Sequence, residues 1–110
     1  MSPNPLPSFS PQDITVDIAN STNCKITNLS IPLKNTEHSV VLSSNLKQLR
    51  IRCREYAILK YSFVSGDSGL KYWSIPKGCT ENLIDLDFNG VVLYIQSSHD
   101  AITVEVMELY

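Results

Sequence analysis

Hydrophobic and polar residues alternate along much of the chain, and this pattern predicts a succession of short β-strands. The clearest example is the stretch 47–54, in which Leu49, Ile51 and Cys53 alternate with polar residues. Such alternation is typical of a strand with one buried face and one solvent-facing face. The stretch 57–64 repeats the pattern and predicts a neighbouring strand near the centre of a sheet.

The other alternating stretches are short and are separated by residues that favour turns. They lie at 13–18, 24–31, 39–43, 70–75, 83–88, 91–96 and 102–106. Asn89-Gly90 predicts a hairpin between two of them, because both central positions of a type I′ turn need positive φ. No long helical stripe interrupts this series. The sequence therefore predicts an all-β fold, an antiparallel β-sandwich of jelly-roll or immunoglobulin-like type.

The length of 110 residues is that of one domain, preceded here by an arm rich in proline. We expect an extended N-terminal arm over 1–12 and a β-sandwich domain over 13–110, because proline fixes φ and favours extended backbone. The arm is either a loose terminus or a segment that lies along a neighbouring subunit. The residues predicted to contact that neighbour are Pro3, Pro5, Leu6, Pro7, Phe9 and Pro11.

Charge and cysteine content narrow the classes of partner and compartment. A net charge of −2 gives no basic footprint, so we expect no nucleic-acid partner. The sequence has neither a signal-peptide pattern nor an apolar run long enough for a membrane span, and we expect no membrane association. The three cysteines have no zinc or disulfide spacing and are expected to be buried free thiols in a reducing cytoplasm.

Gly66-Asp67-Ser68-Gly69 resembles the core of the nucleophile motif of trypsin-like serine proteases, which would make Ser68 the nucleophile. Such a serine needs a histidine as its base, and neither His38 nor His99 lies in a recognisable flanking motif. The chain is also too short for the two barrels of those proteases. Two glycines, an aspartate and two serines are typical of a tight loop, so a loop between strands is the favoured interpretation.

Asp85 and Asp87, followed by Asn89-Gly90, match the first half of a calcium-binding loop. The match then fails, because Gln96 stands where the loop needs a bidentate carboxylate. His99 lies in a turn with no second ligand nearby in sequence. We therefore expect no metal site, no cofactor and no catalytic residue, and hence a protein that is not an enzyme.

Two sets of side chains remain as candidate binding surfaces. Arg50, Arg52 and Arg54 share one strand face, which either binds an acidic partner or is a solvated face that discourages edge pairing. An aromatic set could stack on sugar rings or fill the space between sheets, and packing is favoured because all its members lie in alternating stretches. Its members are Tyr61, Tyr72, Trp73 and Tyr94.

An ordered set of segments gives the chain a resemblance to a known class of proteins. The segments are 35–39 (NTEHS), 51–54 (IRCR), 59–69 (LKYSFVSGDSG), 72–78 (YWSIPKG), 93–98 (LYIQSS) and 104–106 (VEV). In this order and spacing, the region 35–110 resembles small β-sandwich accessory proteins of tailed-bacteriophage virions. Head decoration proteins and small tail-associated proteins belong to this class. The resemblance implies a structural role without catalytic residues, and Cys53, Cys79 and the arm lie outside what it explains.

These observations together predict a non-enzymatic structural component of a phage virion. It would be made in the host cytoplasm, and would bind a capsid or tail surface as a decoration or accessory protein. Its partners would be other virion proteins, in a homo-oligomer or in multiple copies per particle. The alternative is a carbohydrate- or receptor-binding module at a virion surface, and a serine hydrolase acting through Ser68 is the third hypothesis.

Overall fold

The computed structural model describes residues 23–110, which form eight β-strands and no helix. The strands are β1 (Cys24–Ile31), β2 (His38–Val41), β3 (Gln48–Cys53), β4 (Leu59–Ser62), β5 (Trp73–Ile75), β6 (Thr80–Leu83), β7 (Val92–Ser97) and β8 (Ile102–Leu109). The strand predicted over 13–18 and the arm predicted over 1–12 lie outside the described residues. So do the arm's proposed contact residues, Pro3, Pro5, Leu6, Pro7, Phe9 and Pro11.

The strands form two antiparallel sheets of four strands each. Sheet A has the order β1-β8-β3-β6, and sheet B has the order β2-β7-β4-β5. The pairs β1–β8, β2–β7, β3–β6 and β4–β5 are those of a long hairpin rolled up on itself, which is the jelly-roll arrangement. The prediction of an all-β antiparallel sandwich is confirmed, and jelly-roll rather than immunoglobulin-like is the observed alternative.

The alternating residues explain how the two sheets pack. Leu49 and Ile51 of β3 are fully buried, as are Leu93 and Ile95 of β7. Arg50 and Arg52, which alternate with Leu49 and Ile51 on β3, are exposed, as predicted for a strand with one solvent-facing face. Both sheets contribute to a single hydrophobic cluster, so burial of the two inner faces against each other is the main stabilising interaction.

Tyr61 of β4 joins the two sheets through a hydrogen bond and also makes an aromatic contact beside its own strand. Its hydroxyl donates to Oε2 of Glu81 on β6 at 2.7 Å, and its ring meets Phe63 edge-on at 5.7 Å. Phe63 in turn contacts Phe88 edge-on at 5.3 Å. Burial, together with the Glu81 carboxylate, raises the pKa of Tyr61 well above its usual value, so the phenol remains a donor at neutral pH.

The hairpin predicted at Asn89-Gly90 is wrong. β6 ends at Leu83 in sheet A, whereas β7 lies in sheet B, so the chain crosses between sheets here. Asp85 has a φ of 56°, which interrupts the predicted strand 83–88. Gly90 has a φ of 68° but Asn89 does not have a positive φ, so the two residues do not form a type I′ turn.

Two further expectations need correction. Cys24 and Cys79 are exposed free thiols and Cys53 is half-buried, so the prediction of buried cysteines is wrong for the first two. The predicted strand 70–75 is reduced to β5, and Leu70 is 78% exposed in the preceding loop. At the margins of the sheets, a few alternating residues therefore predicted a longer strand and more deeply buried side chains than the structure shows.

We predict that Ile51→Ala lowers the free energy of unfolding by about 2–5 kcal/mol, because it removes a fully buried side chain and leaves a cavity. Urea unfolding followed by circular dichroism measures this loss. Ile84→Ala is the matched control, since Ile84 is 58% exposed, and we expect it to cost less than about 1 kcal/mol. Equal losses at the two positions would contradict the assigned inner face of sheet A.

Candidate functional site

Ser68, the candidate nucleophile, is fully buried and is held by a carboxylate. Its hydroxyl donates to Oε1 of Glu37 at 2.5 Å, and its backbone N–H donates to the same oxygen at 3.1 Å. The N–H of Gly66 donates to the other carboxylate oxygen at 2.9 Å. Glu37 immediately precedes β2, so one side chain fixes the 65–69 loop to a segment that is distant in sequence.

The hydrogen bonds of Ser68 hold the 65–69 loop in place. An activated serine donates its proton to a histidine, but among the described residues neither His38 nor His99 hydrogen-bonds to Ser68. Nδ1 of His99 lies instead 2.9 Å from the hydroxyl of Ser98. The prediction of a loop at 65–69 is confirmed. The Ser68 hydroxyl also hydrogen-bonds to the side-chain oxygen of Gln96 on β7 at 3.2 Å.

The hydrogen bonds to Glu37 also change its acidity. The Ser68 hydroxyl, with smaller contributions from the N–H groups of Gly66 and Ser68, lowers the pKa of this carboxyl, although burial opposes the change. A carboxyl whose pKa is lowered on folding stabilises the folded state above its unfolded pKa and loses that contribution as pH falls. The loop should therefore loosen in acid.

Asp85 and Asp87 do not converge on a cation site. Asp87 pairs with Lys47 at 3.8 Å, and both side chains are largely exposed. Within residues 23–110, no group of three His, Cys, Asp or Glu side chains is arranged to hold a metal ion.

The three predicted arginines lie together on the solvent side of sheet A, near or at the end of β3. Arg50 and Arg52 project from β3, and Arg54 follows it immediately. Glu105 of β8 lies opposite Arg52 and accepts hydrogen bonds from Arg52 at 2.5 Å and from Arg54 at 3.1 Å. These bonds lower the pKa of the Glu105 carboxyl, with Arg52 making the larger contribution.

Arg50 differs from the other two arginines because it has no acidic partner within the described part of the chain. Cross-strand register places Met107 of β8 on one side of it and Asn82 of β6 on the other. Ile26 of β1 is the next residue in the same row and is 61% exposed. A groove of about 500 Å³ runs over these side chains and past Arg52. We call this surface the arginine face; its members are Ile26, Arg50, Arg52, Arg54, Asn82, Glu105 and Met107.

The sequence predicted the arginines of this surface but not their neighbours. Glu105 and Met107 lie on the solvent-facing positions of β8, a position that alternation with Val104 and Val106 could have indicated. Their contact with β3 depends on strand order, which the residue pattern does not contain. Alternation over 24–31 puts Ile26 on the opposite face from Leu29 and Ile31, and it is that face which is exposed.

The aromatic set is divided between the core and the surface. Tyr61 is buried and Tyr94 is half-buried, whereas Trp73 is 66% exposed and Tyr72 is 42% exposed. The Nζ atom of Lys60 lies 4.8 Å from the centre of the Tyr72 ring. The interpretation of all four rings as packing residues is therefore wrong for Tyr72 and Trp73.

We predict that Glu37→Gln lowers the free energy of unfolding by about 1–2 kcal/mol at neutral pH, since it weakens three hydrogen bonds to a carboxylate. Partial solvent exposure keeps the loss at the lower end of the range for charged acceptors. The difference from the original protein should shrink as pH falls below about 4.5. Urea unfolding at a series of pH values measures both effects.

Asp87→Asn serves as the control for this experiment, because it removes a charge that is paired only at the surface. We expect it to change stability by less than about 0.5 kcal/mol at any of these pH values. A Glu37→Gln difference that stays constant from neutral to acidic pH would contradict the role of the Glu37 carboxylate in holding the 65–69 loop.

Comparison of the chain with protein-family models, with curated protein sequences and with solved structures found no match. The role of the protein has therefore to be argued from the jelly-roll fold, the arginine face and the exposed aromatic residues.

Proposed function

We propose that the protein is a non-enzymatic structural component of a tailed-bacteriophage virion and binds a capsid or tail surface through the arginine face. The jelly roll is an architecture that viral capsid and lectin domains share. Because a fold hosts many functions, its presence only makes the proposal compatible with the structure. The particular argument comes from the surface of sheet A.

The observation that carries the proposal is Arg50, which has no acidic partner among residues 23–110 and lies between exposed or half-buried apolar side chains. Met107 is half-buried and Ile26 is largely exposed, so an arginine, a methionine and an isoleucine are neighbours in one groove. Arginine and methionine are enriched in the centres of protein interfaces, where arginine often contributes much of the binding energy. If this face contacted only solvent, the apolar side chains of Ile26 and Met107 beside Arg50 would contribute no burial.

The charges of the arginine face indicate the kind of surface that would fit it. Glu105 already neutralises part of the charge of Arg52 and Arg54, whereas no acidic side chain of residues 23–110 pairs with Arg50. A carboxylate beside an apolar patch on the capsid or tail protein would satisfy both Arg50 and Ile26. A decoration or accessory protein of this kind would be present in multiple copies on a symmetric particle.

The arm over 1–12 belongs to the same proposal. Its prolines would reduce the conformational entropy lost when the arm lies along a neighbouring copy, with Leu6 and Phe9 as apolar anchors. Binding through the arginine face and latching through the arm would then hold copies in a homo-oligomer on the particle.

A second candidate is a carbohydrate- or receptor-binding module at a virion surface. The exposed Trp73 and Tyr72, which are adjacent in sequence, favour it, because exposed aromatic rings stack on sugar rings. Lys60 over the Tyr72 ring and the hydroxyl of Ser74 could contribute polar contacts nearby. Tyr61 is excluded from this surface by its burial.

We predict that Arg50→Glu lowers incorporation of the protein into virions by about tenfold or more, because it reverses the free charge of the arginine face. Particles are purified by density gradient from the culture that carries the gene, and the 12.3 kDa chain is measured in them by quantitative mass spectrometry. Lys71→Glu, a charge reversal in the loop before β5, should leave incorporation unchanged.

The same experiment contains the result that would refute the proposal. If the original chain is absent from purified particles, the virion role is wrong. If Arg50→Glu and Lys71→Glu are incorporated equally, the role stands but the arginine face is not the docking surface.

For the second candidate we predict that Trp73 fluoresces as a solvent-exposed indole and is readily quenched by acrylamide, since it is 66% exposed. Because Trp73 is the only tryptophan in the chain, its emission can be assigned without mutagenesis. Soluble glycans that stack on it should shift the emission and protect it from the quencher. A spectrum typical of a buried indole would exclude the platform.

A further inference from the structure

Two of the three cysteines lie next to the end of the β3–β6 ladder, one on each side of it. The ladder between these strands ends at the pair Arg52 and Thr80, so Cys53 and Cys79 are next in the same register. Residues in register across an antiparallel ladder have Cα atoms about 4.5–5.5 Å apart. A disulfide requires a separation of about 4.4–6.8 Å, so a Cys53–Cys79 pair that continues this register would lie within reach of one.

The two thiols also share a solvent-accessible depression at the end of the ladder. Cys53 and Cys79 both line a cavity of about 520 Å³, which is open to the surface. Cys79 is exposed, whereas Cys53 is half-buried and packs against the core. The thiol of Cys53 donates a long hydrogen bond to Glu55 at 3.9 Å. A small oxidant can therefore reach the pair from the side of Cys79.

We propose that Cys53 and Cys79 form a redox-active dithiol, which closes to a cross-strand disulfide by exchange with a small disulfide such as oxidised glutathione. This inference is independent of the proposed virion role, since it depends only on the β3–β6 register. Cys24, on the edge strand β1, has no such partner in the ladders of the described residues and would remain a thiol.

The exchange takes place in two steps that conserve atoms and electrons. The Cys79 thiolate attacks one sulfur of oxidised glutathione, forms a mixed disulfide and releases one glutathione thiolate. The Cys53 thiolate then attacks the sulfur of Cys79 and expels the second glutathione thiolate. The two cysteine protons end on the two glutathione molecules, so the dithiol is oxidised while one glutathione disulfide is reduced.

The order of attack follows from the surroundings of each sulfur. Burial raises the pKa of the Cys53 thiol, which lowers its thiolate fraction and makes it a poor first nucleophile. Cys79 meets the oxidant in solvent and is the better first nucleophile. Once closed, the bond would fasten β6, an edge strand of sheet A, to the central strand β3. The protein would then gain a cross-strand disulfide on passing from a reducing to an oxidising environment.

The test uses full-length Cys24→Ser protein, which prevents cross-linking through the exposed Cys24. Native, reduced protein is incubated with oxidised glutathione and then analysed by intact mass and by peptide mapping. We expect a loss of about 2 Da, the mass of two hydrogens, and a peptide pair joined through Cys53 and Cys79. Amide exchange in β6 should slow by about tenfold on oxidation, with little change in the other edge strand, β1.

Two variants in the same background separate the roles of the two thiols. Cys53→Ser should accumulate the glutathione adduct on Cys79, and Cys79→Ser should react at least about tenfold more slowly. If native Cys24→Ser protein gains only glutathione adducts, or stays reduced while its unfolded chain is oxidised, the dithiol proposal is wrong. Peptide mapping of that parent protein decides the matter even if either second substitution prevents folding.

Discussion

The simultaneous burial of two inner sheet faces is the constraint on which the rest of this structure depends. Leu49 and Ile51 enter the core only in one register of β3, and a slip of one residue would turn Arg50 and Arg52 inward. The cost of burying unpaired guanidinium groups therefore fixes the register as firmly as the apolar contacts do. The arginine face and the Cys53–Cys79 pair both follow from that register.

The jelly-roll path explains why the important contacts join distant parts of the sequence. The chain passes repeatedly from one sheet to the other, so Arg52 meets Glu105, 53 residues away, and Ser68 meets Glu37, 31 residues away. Each contact fixes the position of side chains or of a loop that the neighbouring residues in sequence do not hold in place. Glu37 holds a loop in which Ser68 is buried, and Glu105 orders Arg52 and Arg54, whereas Arg50 has no acidic partner within residues 23–110.

The sequence alone predicted the sandwich and the faces of its central strands, because period-two alternation directly reports which side is buried. It failed at 83–90, where Asp85 takes a left-handed conformation and the chain leaves sheet A. It also failed for Trp73, which pairs with the buried Tyr61 but lies on β5, the edge strand of sheet B within residues 23–110. Alternation identifies a face but contains no information on strand order, and the arginine face depends on that order.

Nuclear Overhauser contacts between backbone protons of paired strands would test the account most directly, because the arginine face and the Cys53–Cys79 pair both depend on the order β1-β8-β3-β6. The account predicts Hα or amide contacts from Arg50 to both Met107 and Asn82, with no ladder between 83–88 and 91–96. A hairpin ladder across Asn89-Gly90, with β3 unpaired to β8, would contradict it.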